Sequence, residues 1–218
     1  MPKRSSKEGA KTRDAILRTA ADVASVDGLE GLTIGKLGAD LGMSKSGVFA
    51  HFGSKEGLQL ATIEAARQRY VEEVLEPARR APAGIGRVHA LCEAFLSYVE
   101  RAVFPGGCFF AAAMAEFDSK APSAVRDRIV ECQDQWMSTL ERATVRAQAN
   151  GELAPDVDPK QLAFELEAAL LSANWYFHLH ADAGYFDRAR RAIRTRLVSD
   201  ATADGLRSLS RQAGVDGE

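Results

Sequence analysis

This 218-residue chain has no long apolar run, no excess of one charge, no cysteine cluster and no common catalytic signature. No apolar segment with a cleavage site opens it, so no secretory signal and a cytoplasmic location are expected. Its 3 cysteines, Cys92, Cys108 and Cys132, are spread without metal-ligand spacing. They read as small buried hydrophobes in a reducing compartment rather than a disulfide framework. Cys108 lies beside a Gly-rich break but has no basic neighbour close in sequence, which argues against a redox switch. No G-x-S-x-G, P-loop, H-E-x-x-H or paired-Cys pattern is present, so neither metal nor cofactor is expected, and a helical enzyme is disfavoured. His178 and His180 fall on different faces of a helix and make poor joint ligands. From Ala168 to Ala181 there is no Asp, Glu, Lys or Arg, but the stretch is too short and too His-containing to span a membrane. Strand-like alternation, internal repeats and low-complexity tracts are absent, which leaves an all-α fold.

What is present is concentrated between residues 32 and 58. Thr33 is a good N-cap for a helix to about Leu41, with Ile34, Leu37 and Leu41 on one face. Gly42 supplies a left-handed residue that ends it. Ser44 caps a second short helix, about Lys45 to His51, that carries Val48 and Phe52 inward. Gly38, costing about 1 kcal/mol relative to Ala in a helix interior, makes sense if the second helix crosses close by. Such a pair, small residue and glycine turn included, is a helix–turn–helix. The spacing alone also fits a helical hairpin buried in an all-α core. Ser54 then caps a further helix.

The ordered series Thr12-Arg13-Asp14-Ala15-Ile16-Leu17, Gly28, Leu32-Thr33-Ile34, Gly42-Met43-Ser44 and His51-Phe52-Gly53-Ser54-Lys55-Glu56 closely resembles the DNA-binding domain of the TetR family of bacterial transcriptional repressors. The resemblance covers about the first quarter of the chain. It implies a three-helix DNA-binding domain, followed by a helical ligand-binding and dimerisation domain. Expected contacts to double-stranded operator DNA are Thr33, Lys36, Ser44, Lys45, Ser46, Gly47, Phe49, His51 and Lys55. Lys45 suits a guanine edge or a phosphate, small Ser46 and Gly47 let the backbone approach the groove, and residues at helix N-termini suit phosphates. His51 fits a phosphate donor or a partly buried cap equally well. The chain departs from the family pattern at Phe49, where a Tyr hydroxyl is common, and at Ala50, where a larger residue is common. Gly57 forfeits a capping-box carboxylate. The opening segment, with Lys3, Arg4, Lys7, Lys11, Arg13 and Arg18 against Glu8 and Asp14, is suited to phosphate contact or to a minor groove.

Helical periods continue over about 8–27, 55–76 (stopped by Pro77), 88–103, 108–117, 123–149, 160–180 and 185–199, with fraying expected over the last dozen residues. The expected division is 1–57 for DNA binding, with a basic arm, and 58–218 for effector binding and dimerisation. Phe95, Val99, Phe110, Met114, Phe117, Trp136, Leu140 and Trp175 are candidates for an apolar effector pocket, whose ligand the resemblance implies to be a small molecule. The helix at 160–180 is apolar on two sides and must be covered on both. Leu166, Ala169, Leu170, Ala173, Phe177, Phe186, Ile193 and Leu197 are expected at a homodimer interface, because two-fold operators place half-sites about 34–36 Å apart. The reading is thus a homodimeric repressor of a palindromic operator, released by an unidentified small-molecule effector. An activator, an architectural DNA binder without effector and, least, a helical enzyme are the alternatives.

Overall fold

The structure, a computed structural model, describes residues 6–215. Among them every regular element is helical, apart from an isolated antiparallel bridge between Leu153 and Ala201. In chain order they are α1 (Ser6–Asp27), α2 (Ile34–Asp40), α3 (Lys45–Phe52), α4 (Lys55–Tyr70), a π-helical turn (Val71–Leu75), α5 (Glu76–Ala78), α6 (Ile85–Glu100), α7 (Phe109–Phe117), α8 (Ala124–Ala149), α9 (Pro159–His180), α10 (Gly184–Asp200) and α11 (Ala203–Val215). No helix among the described residues is long and apolar enough to cross a membrane. The chain divides into two compact units: residues up to Arg69 with Phe104–Glu131, and Tyr70–Val103 with the chain from Cys132 onward.

In the first unit, Ile16, Leu17, Ala20 and Ala24 of α1 pack inward with Leu29, Leu32, Leu37, Val48, Leu58 and Ile63. The core therefore gathers one apolar stripe from each of α1–α4. A later part of the chain completes it. Glu116 of α7 accepts hydrogen bonds from the backbone N–H groups of Leu29 (2.7 Å) and Glu30 (2.8 Å), in the turn before α2. Gly106 N–H donates to Ser25 Oγ at 3.0 Å. A Cβ on Gly106 would lie 1.9 Å from the Ser25 carbonyl oxygen, so only glycine permits this approach. Arg69 pairs with Asp22 at 2.9 Å and lies 4.5 Å over the Phe104 ring, while Arg128 pairs with Glu64.

The helix that opens at Lys55 does not stop at Pro77. The Glu76 N–H reaches back five residues to the Val71 carbonyl, and Pro77 falls in the first turn of α5, where its missing N–H is no loss. The expected frayed tail is also corrected. α11 forms, with Thr202 Oγ1 accepting from Gly205 N–H at 3.2 Å and Leu209 buried; only 216–218 of that stretch lie outside the described residues.

In the second unit α9 packs against α10 and α6. Leu166, Leu170, Ala173, Phe186, Ile193 and Leu197 are all buried in this packing of the chain on itself. They therefore cannot meet a partner subunit, which corrects their expected place at a dimer interface. Phe177, with its ring 4.7 Å from Phe186, and Ala169 are only half-buried, on the same inward side. The helix's other apolar side stays outside: Phe164 is 64% exposed, Trp175 48%, Tyr176 47% and Leu179 74%. Periodicity had shown two apolar sides; which one the chain covers itself depended on where α10 folds back.

Candidate nucleic-acid interface

The helix–turn–helix is built by its caps. Thr33 Oγ1 accepts from Lys36 N–H at 3.1 Å and Ser44 Oγ from Gly47 N–H at 3.1 Å, each in extended backbone. Ser54 Oγ likewise accepts from Gly57 N–H at 2.9 Å. These hydroxyls satisfy orphan donors of the first turns. Between the helices, Gly42 sits at φ +63°, and the Met43 N–H donates to the Gly38 carbonyl at 2.7 Å. A Cβ on Gly38 would lie 2.8 Å from the Met43 carbonyl oxygen. The close approach expected at Gly38 is real, but it comes from the turn rather than from the body of α3. Val48 is fully buried and anchors α3 on the core.

That anchoring turns the opposite side of α3 outward. Lys45, Ser46, Phe49 and Ala50 are exposed, with Gly47 and His51 half-buried. Among the described residues Lys45 makes no ion pair, so its ammonium is available to a phosphate or a base edge. Phe49, 49% exposed, presents a ring where a hydroxyl was the usual feature. His51 lies tilted against Phe52, 6.1 Å between ring centroids, and Arg13 of α1 covers the Phe52 ring at 5.1 Å. In the sequence Arg13 read as part of the basic arm and of the opening motif, because nothing there shows which ring it meets. Lys3, Arg4 and the side chain of Lys7, also assigned to that arm, lie outside the described residues.

The other cations expected to touch DNA are already engaged. Lys36 pairs with Asp27, whose carboxylate holds the Lys36 ammonium above its usual pKa. Lys55 Nζ donates to the Glu30 carbonyl oxygen at 2.8 Å and to its carboxylate at 3.1 Å. That lysine is the main cause of a lowered Glu30 pKa. Both lysines are exposed, so a phosphate competes with these carboxylates in high dielectric, where such pairs are weak. Thr33 and Ser44 are exposed too, beside the N-termini of α2 and α3.

The residues expected around an effector do not fall in one unit. Phe110 and Phe117 are buried, and Met114 half-buried, in the first; Phe95, Val99, Trp136 and Leu140 are buried in the second. Trp175 is exposed and lines no interior, because α9 turns that side away from its own unit. Within the second unit, Tyr70, Phe95, Tyr98 and Trp136 form an aromatic cluster. The Tyr70 ring stands edge-on to Trp136 at 5.5 Å and to Tyr98 at 5.6 Å. Glu167 of α9 is the feature missed there. It is buried, and accepts from Trp136 Nε1–H at 2.6 Å and from Gln133 Nε2–H at 3.2 Å. Burial raises its pKa, and the two hydrogen bonds only partly offset that. A lone acid on the inward stripe Leu162-Leu166-Leu170 was the available signal.

Comparison with known proteins places this geometry. Residues 16–62 match the model of "Bacterial regulatory proteins, tetR family" and residues 84–193 that of "Tetracyclin repressor-like, C-terminal domain". No curated protein matches. A TetR transcriptional regulator from Chloroflexus aurantiacus J-10-FL superposes with a TM-score of 0.83 at 27% identity, over 89% of this chain and 98% of that one. A TetR-family regulator from Cytophaga hutchinsonii gives 0.79 at 20% identity, over 92% and 99%. AibR in complex with isovaleryl coenzyme A and operator DNA shares the fold, with a TM-score of 0.65 at 21% identity over 83% and 95%. These matches, with the helix–turn–helix already described, make the chain a member of the TetR family of bacterial transcriptional regulators.

Proposed function

We propose that the protein is a ligand-responsive repressor, which binds a palindromic operator as a homodimer and leaves it when a small molecule binds. The observation that carries this reading is the outward side of α3, where Lys45, Ser46, Phe49 and Ala50 are exposed while Val48 holds the helix from behind. Lys45 reads a base edge or its phosphate. Ser46 and Gly47 leave room for the groove, and Thr33, Ser44, Lys36, His51 and Lys55 contact the backbone. Residues 1–57 act as the reading module and 58–218 as the effector and dimerisation module. The exposed α9 side, with Phe164, Ala168, Trp175 and Leu179, meets its counterpart on a second copy; small Ala168 and Ser172 let the helices approach. The effector binds among the aromatic side chains of the second unit, beside Glu167. AibR, which shares the fold and is seen in complex with isovaleryl coenzyme A and operator DNA, supports the pairing of the two activities. To act, the effector must favour the DNA-incompetent state over the DNA-bound one.

Gel shift with the DNA flanking the protein's own gene tests the reading. Specific retardation over an unrelated duplex of equal length is expected; equal binding to both overturns operator recognition.

A further inference from the structure

We infer that the second unit carries a separate anion site, formed by Arg79, Arg87, Arg142 and Arg146 and suited to a phosphorylated small molecule. These four side chains line one cavity of about 290 Å³, floored by Leu75 and Leu91. Its lining holds no Asp or Glu. Among the described residues none of the four arginines has an ion-pair partner, although most other arginines around the second unit do, Arg101, Arg190 and Arg196 among them. Two of them hydrogen-bond to neutral groups instead. Arg87 donates to the Arg79 carbonyl (2.8 Å) and the Ala81 carbonyl (2.6 Å). Arg142 donates to Ser138 Oγ (2.6 Å) and Thr139 Oγ1 (3.1 Å).

Gathering like charges in one recess raises the free energy of the empty state, and an anion relieves it. The guanidinium fork matches phosphate oxygens two at a time, and several cations together favour a multiply charged group over a single carboxylate. Arg142 and Arg146 are one turn apart on α8, so they reach the same side. Arg79 caps α5 and Arg87 lies in the first turn of α6. A bound phosphate therefore ties three helices together. The apolar floor suits a ligand whose phosphate is attached to an uncharged body, and the volume lies at the lower end of small-molecule sites.

The test uses the full-length protein at low ionic strength, because salt screens exposed charges. Pyrophosphate, ADP and adenosine are titrated calorimetrically. Saturable binding of pyrophosphate and ADP, but not adenosine, is expected. Arg142→Gln with Arg146→Gln is expected to weaken ADP binding at least tenfold, with thermal melting showing that the variant is folded. Arg188→Gln with Arg191→Gln removes two arginines lining another recess, on α10, and is expected to change binding less than twofold. Absence of binding by pyrophosphate and ADP, unchanged binding in the α8 variant, or equal loss in both variants overturns the assignment. No outcome depends on DNA.

Discussion

A single carboxylate decides how the turn before the DNA-reading helices is held. Glu116 accepts from two backbone donors, Leu29 and Glu30, so removing it strands them. Glu116→Ala is expected to destabilise the protein by about 1–3 kcal/mol, the worth of hydrogen bonds to a charged acceptor, mostly through the part-buried Leu29 donor because the Glu30 donor is exposed to water. Urea unfolding measures this, and an unchanged midpoint would contradict the role. Glu167 has the opposite sign. Burial raises its folded-state pKa, so the native chain binds more protons than the unfolded one above about pH 4.5, the ordinary glutamate value. Stability is therefore lost as pH rises from there through the folded pKa, and the loss persists at neutral pH. Glu167→Gln keeps an acceptor for Trp136 without the charge. Its unfolding free energy is expected to vary less with pH over that window and to exceed the parent's at pH 7. A variant less stable than the parent at pH 7 would overturn the sign. Neither residue's role was legible in the sequence: Glu116 acts across 87 residues of chain, and Glu167 is visible only as an oddity on an apolar stripe.

Helices were legible where caps and periodicity agreed. Thr33, Ser44 and Ser54 each cap the helix expected of them, and Gly42 takes the left-handed conformation expected at the turn. Such signals are local, so the chain states them outright. The π-helical turn before Pro77 and the amphipathic α11 were not legible, because a proline and a Gly-Ser-rich tail read as breaks until tertiary packing overrides them. The α9 sides illustrate the same limit. A period shows that two sides are apolar, and only the return of α10 selects one. Light scattering tests the outer side: Phe164→Glu with Trp175→Glu is expected to turn a dimer into a monomer with unchanged helical circular dichroism. Leu166→Glu, on the buried side, is expected to unfold the chain instead. A double variant that remains dimeric would remove this side from the subunit contact.

At the scale of the whole molecule, helical periods without strand-like alternation pointed to the all-α class, and the ordered motifs of the first quarter to the family. The division into units was not legible, since Phe104–Glu131 joins the first unit after an intervening 34 residues, Tyr70–Val103, that belong to the second. A formal net charge of −2 means that any DNA affinity must come from local cations rather than from the molecule's overall field. Operator affinity is accordingly expected to fall steeply with salt, by roughly one unit of log–log slope per phosphate neutralised. A complex indifferent to salt between about 50 and 200 mM would contradict binding through phosphate contacts.

The most direct test of α3 as the DNA reader is fluorescence anisotropy with the operator, comparing the parent with Lys45→Ala. Lys45 is exposed and makes no ion pair among the described residues, so its loss should leave folding untouched. The expected result is a weaker complex by about 1–3 kcal/mol, the usual worth of a base contact. An operator affinity equal to the parent's would contradict the account.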